Sequence, residues 1–108
     1  LAVGGNTGDL VGFNMLAGTI LVWGESGIRH GAGMKRGTIG FMGDHHPPVL
    51  VSFKHGCRFR SEAITLILKY LEELEFPVPA ATWDAEFDLF HGDMLEGGRG
   101  ELLLKVVN

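Results

Sequence analysis

The sequence predicts a mainly β fold, a right-handed parallel β-helix built as a single-stranded solenoid and followed by a capping α-helix and short strands. Three observations lead to this prediction. Glycine accounts for 17 of the 108 residues, about double its ordinary frequency, and shows no collagen-type Gly-X-Y period. Twelve of these glycines lie within residues 1–43. In the same stretch, glycines, methionines and apolar residues recur at a constant offset of 19 residues.

The 19-residue repeat is the strongest pattern in the chain. Thr19-Ile20 recurs as Thr38-Ile39, and other positions align at the same offset: Gly5 with Gly24 and Gly43, Gly8 with Gly27, Gly12 with Gly31, Met15 with Met34, and Gly18 with Gly37. A flexible glycine-rich linker does not keep methionines and β-branched residues in register. A phosphate-binding loop needs a Gly-Lys-Ser/Thr signature or a following helix, and neither is present.

Each repeat contains one β-prone run, which residues 19–23 exemplify between two glycines. Side chains alternate between the faces of a strand, so Ile20 and Val22 share one face. If the units stack at about 4.8 Å, each strand pairs in parallel with its equivalent and the aligned apolar columns form the interior. We therefore expect one buried set: Ile20, Val22, Met34, Ile39 and Phe41.

The same alternation places Trp23 and Met42 on the outer face of the strands. Large apolar side chains at such positions suit a protein interface. The alternative is that the C-terminal segment shields them, and the sequence does not separate the two.

Residues 44–108 differ in composition from the glycine-rich coils of 1–43, and we expect both parts to form one domain, 1–108. Breakers at 44–48 precede an expected strand at 49–53. Ser61 has the properties of an N-cap for an amphipathic helix over 62–75, and its apolar residues follow at 3- and 4-residue spacing: Ile64, Ile67, Leu68, Leu71 and Leu74. Short strands are expected at 87–90 and 102–107. The helix would cap the exposed strand edges at the solenoid end or flank.

Composition excludes several classes of function. Thirteen acidic residues against nine Lys and Arg give a net charge of −4, which disfavours a nucleic-acid binder. A single cysteine, Cys57, excludes an internal disulfide and favours a reducing compartment, here the cytoplasm. No apolar run approaches the roughly 20 residues that cross a bilayer. The chain begins without Met in mid-repeat, so we expect a fragment of a longer protein or a shortened relative.

Few residues suggest chemistry. His45 and His46 are candidate metal ligands, but adjacent residues of an extended segment point to opposite sides, which favours surface or capping histidines. Cys57 lies near two arginines without a legible base, so an inert cysteine at an edge or in the core is favoured over a catalytic thiol. Asp93 is expected to form a turn.

Two patterns of charged residues are further candidates for a functional site. Alternating acids, Asp84, Glu86 and Asp88, are typical of the solvated face of a strand, although paired acids also serve acid–base chemistry. The basic cluster, Lys54, Arg58 and Arg60, either binds an anionic ligand or acidic partner, or protects a strand edge as gatekeepers. The second interpretation is favoured.

Residues 1–43 resemble the GXGXG domain, a right-handed β-helix. The resembling positions are Gly8-Asp9, then Gly12, Met15, Gly18-Thr19-Ile20, Val22 and Gly24, then Gly27, Gly31, Met34 and Gly37-Thr38-Ile39. This domain occurs in the large glutamate synthase subunit. It also occurs in one subunit of formylmethanofuran dehydrogenase and in the equivalent subunit of its bacterial relative, the formyltransferase/hydrolase complex. The ending Gly92-Asp93 to Gly97-Gly98-Arg99-Gly100-Glu101 is similar to the ending of that bacterial subunit.

The resemblance implies a non-catalytic structural subunit in one-carbon metabolism, such as methanogenesis or formaldehyde oxidation. A methanofuran-type carrier and metals would belong to the parent complex and not to this chain. The expected partners are amidohydrolase-like and formyltransferase subunits, with self-association through exposed coil edges as an open possibility. Catalytic and cofactor-binding residues are not transferred, and the motif positions are expected to be structural: Gly8, Gly12, Met15, Gly18, Gly24, Gly27, Gly31, Met34, Gly37 and Gly43. A glutamate synthase-type structural domain and a free-standing binding module remain the alternatives.

Overall fold

The computed structural model describes residues 1–106 and contains one mixed β-sheet and one α-helix. The elements in chain order are β1 (Ala2–Val3), β2 (Thr19–Val22), β3 (Thr38–Phe41), β4 (Lys54–Phe59), α1 (Glu62–Glu73), β5 (Phe87–Gly92) and β6 (Gly100–Lys105), with 3₁₀ turns at Ala80–Thr82 and Met94–Glu96. The strand order in the sheet is β1-β2-β3-β6-β5-β4.

The 19-residue offset is the register of the first three strands. Ile20 lies opposite Ile39 and Val22 opposite Phe41 in the parallel pair β2–β3, and β1 pairs with β2 at the same offset. The connecting loops follow the same offset, since the Gly27 amide donates to the Gly8 carbonyl at 3.1 Å. Stacking of successive units therefore satisfies backbone groups in the loops as well as in the strands.

The predicted β-helix solenoid is wrong. Each unit contributes one strand to a single sheet, and after β3 the chain leaves the repeat to form β4, β5 and β6. The pairs β4–β5 and β5–β6 are antiparallel, whereas β6 returns in parallel beside β3. The sheet is mixed and stays open, with β1 and β4 as its two edges. The repeat predicted how neighbouring units stack, but it carried no information on how the non-repetitive half joins the sheet.

The expected interior lies on one face of the sheet, under the loops of the repeat. Val22, Ile39, Phe41 and Met34 are buried there together with Leu102. Ile20 is only partly buried, since it lies on β2 nearer the sheet edge.

The second face of the sheet is also buried, and α1 covers it. Ile64 and Leu68 pack against Leu21, Met42 and other residues of the sheet, while Ile67 and Leu71 line the margin of the same cluster. The predicted inward positions Ile64, Ile67, Leu68 and Leu71 are confirmed, whereas Leu74 is exposed. The helix lies on the sheet face and does not form the predicted cap on a solenoid end. Ser61 is confirmed as the N-cap, because its Oγ accepts the Ile64 amide at 3.1 Å. The helix ends at Glu73, two residues before the predicted end.

This packing decides between the two interpretations of Trp23 and Met42, exposure at a protein interface or shielding by the C-terminal segment. Met42 is buried in the cluster beneath α1. Trp23 packs at a centroid distance of 5.1 Å against Phe76, and its indole nitrogen donates to Thr82 Oγ1 at 3.2 Å. The C-terminal segment therefore shields both side chains.

The strand predictions for the second half have mixed outcomes. The predicted strand at 49–53 is wrong, because Val49 and Leu50 pack into the core from a loop and the strand begins only at Lys54. Strands at 87–90 and 102–107 are confirmed as β5 and β6, although β6 ends at Lys105 and Val107 lies outside the described residues. In β4, pairing with β5 determines the strand, since its sequence has no β-branched residue.

Candidate functional site

A polar cleft that contains several of the residues singled out by the sequence lies at the carboxyl ends of β3, β4 and β6. These three strands run in the same direction, so their last residues meet at one edge of the sheet. The cleft is lined by Asp44, His46, Arg58, Asp88 and Val106. It contains one of the two candidate metal ligands, one member of the basic cluster and one of the alternating acids.

Arg58 and Asp88 form a two-point ion pair across the antiparallel strands β4 and β5. Arg58 Nε donates to Asp88 Oδ1 at 3.0 Å, and a terminal nitrogen donates to Oδ2 at 3.1 Å. His55 Nε2 lies 3.3 Å from the same Oδ1. The hydrogen bonds from Arg58 hold the pKa of the Asp88 carboxyl below its ordinary value, although partial burial opposes this.

Lys105 and Asp44 form the second ion pair of the cleft. The Lys105 side chain is buried, and its Nζ lies 3.0 Å from Asp44 Oδ1. The hydrogen bond and positive charge of Lys105 lower the pKa of the Asp44 carboxyl. His46 Nε2 donates to the carbonyl oxygen of Lys105. The loop after β3 is thereby fixed to the end of β6.

The charged groups of this cleft connect neighbouring segments of the chain through ion pairs. A histidine beside a carboxylate can act as a general base, but both oxygens of Asp88 are already bound to Arg58. The ion pairs connect the loop after β3 and strands β4, β5 and β6 at one end of the sheet.

The structure separates the two candidate metal ligands. His46 faces the end of β6, whereas His45 lies in a neighbouring cleft with its Nε2 4.0 Å from Glu25 Oε1. Within residues 1–106, three or more His, Cys, Asp or Glu side chains do not converge in a way that would hold a metal ion. In the same part of the chain, α1 is too short to cross a membrane, and no other helix is long and apolar enough to do so.

The basic cluster does not form one patch. Lys54 begins β4 opposite His91, while Arg60 follows the other end of the strand. Arg58, between them, is paired with Asp88. These residues lie on or beside an edge strand, where charged side chains discourage pairing with other chains. Cys57 is an exposed cysteine on the same strand.

The repeat glycines occupy positions where the units approach closely. A Cβ at Gly24 would lie 2.3 Å from the Gly5 carbonyl oxygen, and one at Gly43 would lie 2.3 Å from the Trp23 carbonyl oxygen. Other repeat glycines have positive φ at matching positions: Gly12 with Gly31 and Gly18 with Gly37. Met34 is buried and Met15 packs beside the same core, while Gly8 and Gly27 join neighbouring loops.

His30 is a buried histidine that no sequence motif pointed to. Its Nδ1 accepts the Val11 amide at 3.0 Å, and its Nε2 lies 3.0 Å from the Gly27 carbonyl oxygen. Its ring packs against Phe41 at 5.0 Å. This arrangement requires the neutral ring with hydrogen on Nε2. Its position 19 residues after Val11 is the signal that could have revealed its place between two units.

We expect His30 to make the fold sensitive to mild acid. Burial lowers the pKa of its imidazole, against weaker opposing effects of Gly27 and the Asp9 carboxylate. Because the unfolded chain then binds a proton more readily, this contribution is complete above about pH 6.5 and is lost as pH falls below that value. Urea unfolding at pH 7.5 and pH 5.0 measures the loss. A His30→Gln chain should lose less stability over that interval, and an identical loss in both chains would contradict the assignment.

Asp93 was expected only to form a turn, but in the structure it also connects distant loops. It is 4% exposed, and its carboxylate accepts the Gly33 amide at 3.0 Å and the Leu95 amide at 3.1 Å. Burial opposes its ionisation, yet these hydrogen bonds and one from Ser52 hold the pKa of the carboxyl below its ordinary value. Asp93 thus joins three separate loops.

The fold is similar to that of a chain in a solved complex. In the crystal structure of the formyltransferase/hydrolase complex from Methylorubrum extorquens in complex with methylofuran, one chain matches with a TM-score of 0.69 and 23% sequence identity. The match covers 99% of this chain and 46% of that chain, so this chain spans less than half of the other's length. No family model and no curated protein matches the sequence. The resemblance to this complex is confirmed as a structural similarity, while the GXGXG assignment stays a prediction.

Proposed function

We propose that this chain is a non-catalytic structural subunit of a formyltransferase/hydrolase-type complex in one-carbon metabolism. The observation that carries the proposal is the structural similarity to a chain of such a complex over 99% of the residues. The candidate cleft supports it, because its charged groups brace the strands against one another. The carrier chemistry would then take place on the amidohydrolase-like and formyltransferase subunits.

The outer face of α1 offers a surface for such contacts. Leu66 and Tyr70 lie four residues apart on one side of the helix. Leu74, the C-cap residue, follows at the same spacing, and each of the three is at least 60% exposed. Leu66 and Tyr70 point away from Ile64 and Leu68, which face the sheet. An exposed apolar stripe of this kind is typical of a protein interface.

We expect a Leu66→Lys, Tyr70→Lys double variant to bind the partner subunits at least tenfold more weakly than the natural chain. Burying an unpaired ammonium at an interface is unfavourable, whereas the same groups cost little in the free chain because both positions are solvated. Val51→Lys is the matched control, since Val51 is fully exposed and lies apart from the helix. Affinity is measured by titrating labelled chain with purified amidohydrolase-like and formyltransferase subunits.

The wider proposal has its own test. The purified chain, supplied with divalent metals and a formylated amine carrier, should release neither formate nor carbon dioxide, and its mass in solution should rise when the partner subunits are added. Turnover by the isolated chain that is lost on changing His45 or His46 would contradict the non-catalytic role. Association with a glutamine amidotransferase chain and not with these subunits would favour the glutamate synthase-type alternative.

A further inference from the structure

Three basic side chains converge at the amino ends of β3 and β6, the opposite end of the sheet from the ion-paired cleft. Lys35 and Arg36 precede β3, and Arg99 precedes β6. The parallel register sets Thr38 opposite Glu101. The Glu101 amide donates to the Gly37 carbonyl at 2.9 Å, so the chain segments that carry Arg36 and Arg99 also lie side by side. The three cations line one cleft together with Glu96 and Gly97, and we call it the cationic cleft.

The charges of the cationic cleft are not balanced by the protein. Within the described part of the chain, Lys35, Arg36 and Arg99 take part in none of the ion pairs. Glu96 is the single acidic residue among those lining the cleft. The nearby carboxylate of Glu101 accepts a hydrogen bond from Thr38 Oγ1 at 3.1 Å.

This imbalance contrasts with the rest of the molecule. The chain has a net charge of −4, so a surplus of basic residues does not account for the cluster. At the other end of the sheet, Arg58 and Lys105 each face an aspartate. Like charges that line one cleft repel each other, and an anion between them would remove the repulsion.

Hydrogen bonds hold the loops around the cationic cleft in place. The Asp93 carboxylate accepts the Gly33 amide from the loop before β3 and the Leu95 amide from the turn that contains Glu96 and Gly97. The Lys35 amide donates to the Met15 carbonyl at 2.8 Å, so the loop is also fixed to the preceding unit. Space above Gly97 is open, since a Cβ there would meet nothing within 4 Å. The backbone segments that carry the three cations are thus held by hydrogen bonds and border an accessible space.

We propose that the cationic cleft binds a small anion that carries two or more phosphate or carboxylate groups. Guanidinium groups bind both kinds of oxyanion through paired hydrogen bonds. Two arginines side by side with a lysine supply more positive charge than one monovalent anion neutralises. The inference goes beyond the proposed structural role and does not depend on it.

The test is calorimetric titration of the full chain at low ionic strength with pyrophosphate and, separately, with citrate. Acetate at matched ionic strength serves as the monovalent control. We expect saturable binding of at least one multivalent probe and none of acetate. Pyrophosphate binding alone assigns a phosphate ligand, and citrate binding alone assigns a carboxylate ligand. Absence of saturable binding of both overturns the proposal.

Variants distinguish the cationic cleft from general surface charge. Arg36→Gln with Arg99→Gln should weaken binding at least tenfold. Lys54→Gln with Arg60→Gln removes the same charge from exposed positions at the two ends of β4 and should leave binding within twofold. Equal weakening in both double variants would overturn the proposal, because it would show non-specific attraction.

Thermal unfolding gives a second readout that does not rely on heat of binding. Without added anion at low salt, the Arg36→Gln, Arg99→Gln chain should unfold at the same or a higher temperature than the natural chain, since repulsion among the cations that line the cleft is reduced. The binding probe should raise the unfolding temperature of the natural chain and not that of the variant. A variant that responds to the probe as the natural chain does would contradict the assignment.

Discussion

An Ile39→Ala chain should be less stable than the natural chain by about 2–5 kcal/mol, the range for truncation of a buried isoleucine. Ile39 is fully buried between Ile20 and Leu102 of the neighbouring strands. Its Cδ1 also fills the space beside Gly12, where a Cβ would lie only 2.3 Å away. The repeat unit above and the strands on both sides restrict any collapse of the cavity. Urea unfolding followed by circular dichroism measures the difference.

Ile20→Ala is the matched control for this prediction. Ile20 occupies the equivalent position 19 residues earlier, but it is only partly buried and lies nearer the sheet edge. Its truncation should cost clearly less than that of Ile39. Equal losses at the two positions would contradict the placement of Ile39 inside the core and of Ile20 at its margin.

An Asp93→Ala chain should lose about 2–4 kcal/mol of stability. The substitution leaves the Gly33 and Leu95 amides without their acceptor, and an unsatisfied buried donor costs roughly 1–3 kcal/mol. Because the pKa of Asp93 is lowered in the fold, its contribution is present above the ordinary carboxyl pKa of about 3.9 and is lost as pH falls below that value. Unfolding curves at pH 7 and below pH 4 test both statements.

The control for Asp93 is Asp84→Ala, which removes the same charge from an exposed position. It should change the stability by less than about 0.5 kcal/mol, as surface substitutions usually do. A small effect at Asp93, comparable with that at Asp84, would show that the three loops do not depend on this carboxylate.

The sequence by itself determined the local and repetitive parts of this protein. The 19-residue period predicted the parallel register in which Ile20 lies opposite Ile39. Ser61 and the apolar spacing after it predicted the start of α1 and the residues it buries. Such features follow from periodicity and capping, which depend on residues close in sequence or on identical neighbours.

The tertiary structure alone decided how the two halves join. Strand β6 inserts between β3 and β5, which makes the sheet mixed and open where a solenoid was predicted. Alternation showed that Met42 and Ile39 point to opposite faces, but it did not show that α1 buries the second face. The strand pattern of 49–53 was misleading because these apolar residues reach the core from a loop.

In the candidate site too, local features were predictable from the sequence and contacts between distant residues were not. Adjacent His45 and His46 were expected to diverge, and they do. The pairing of Arg58 with Asp88 and the convergence of Arg36 with Arg99 were not visible, because 30 and 63 residues separate the partners in the chain. Contacts of that kind depend on the register between strands brought together by the whole fold. Composition and periodicity describe one strand at a time and therefore do not specify which side chains meet across two of them.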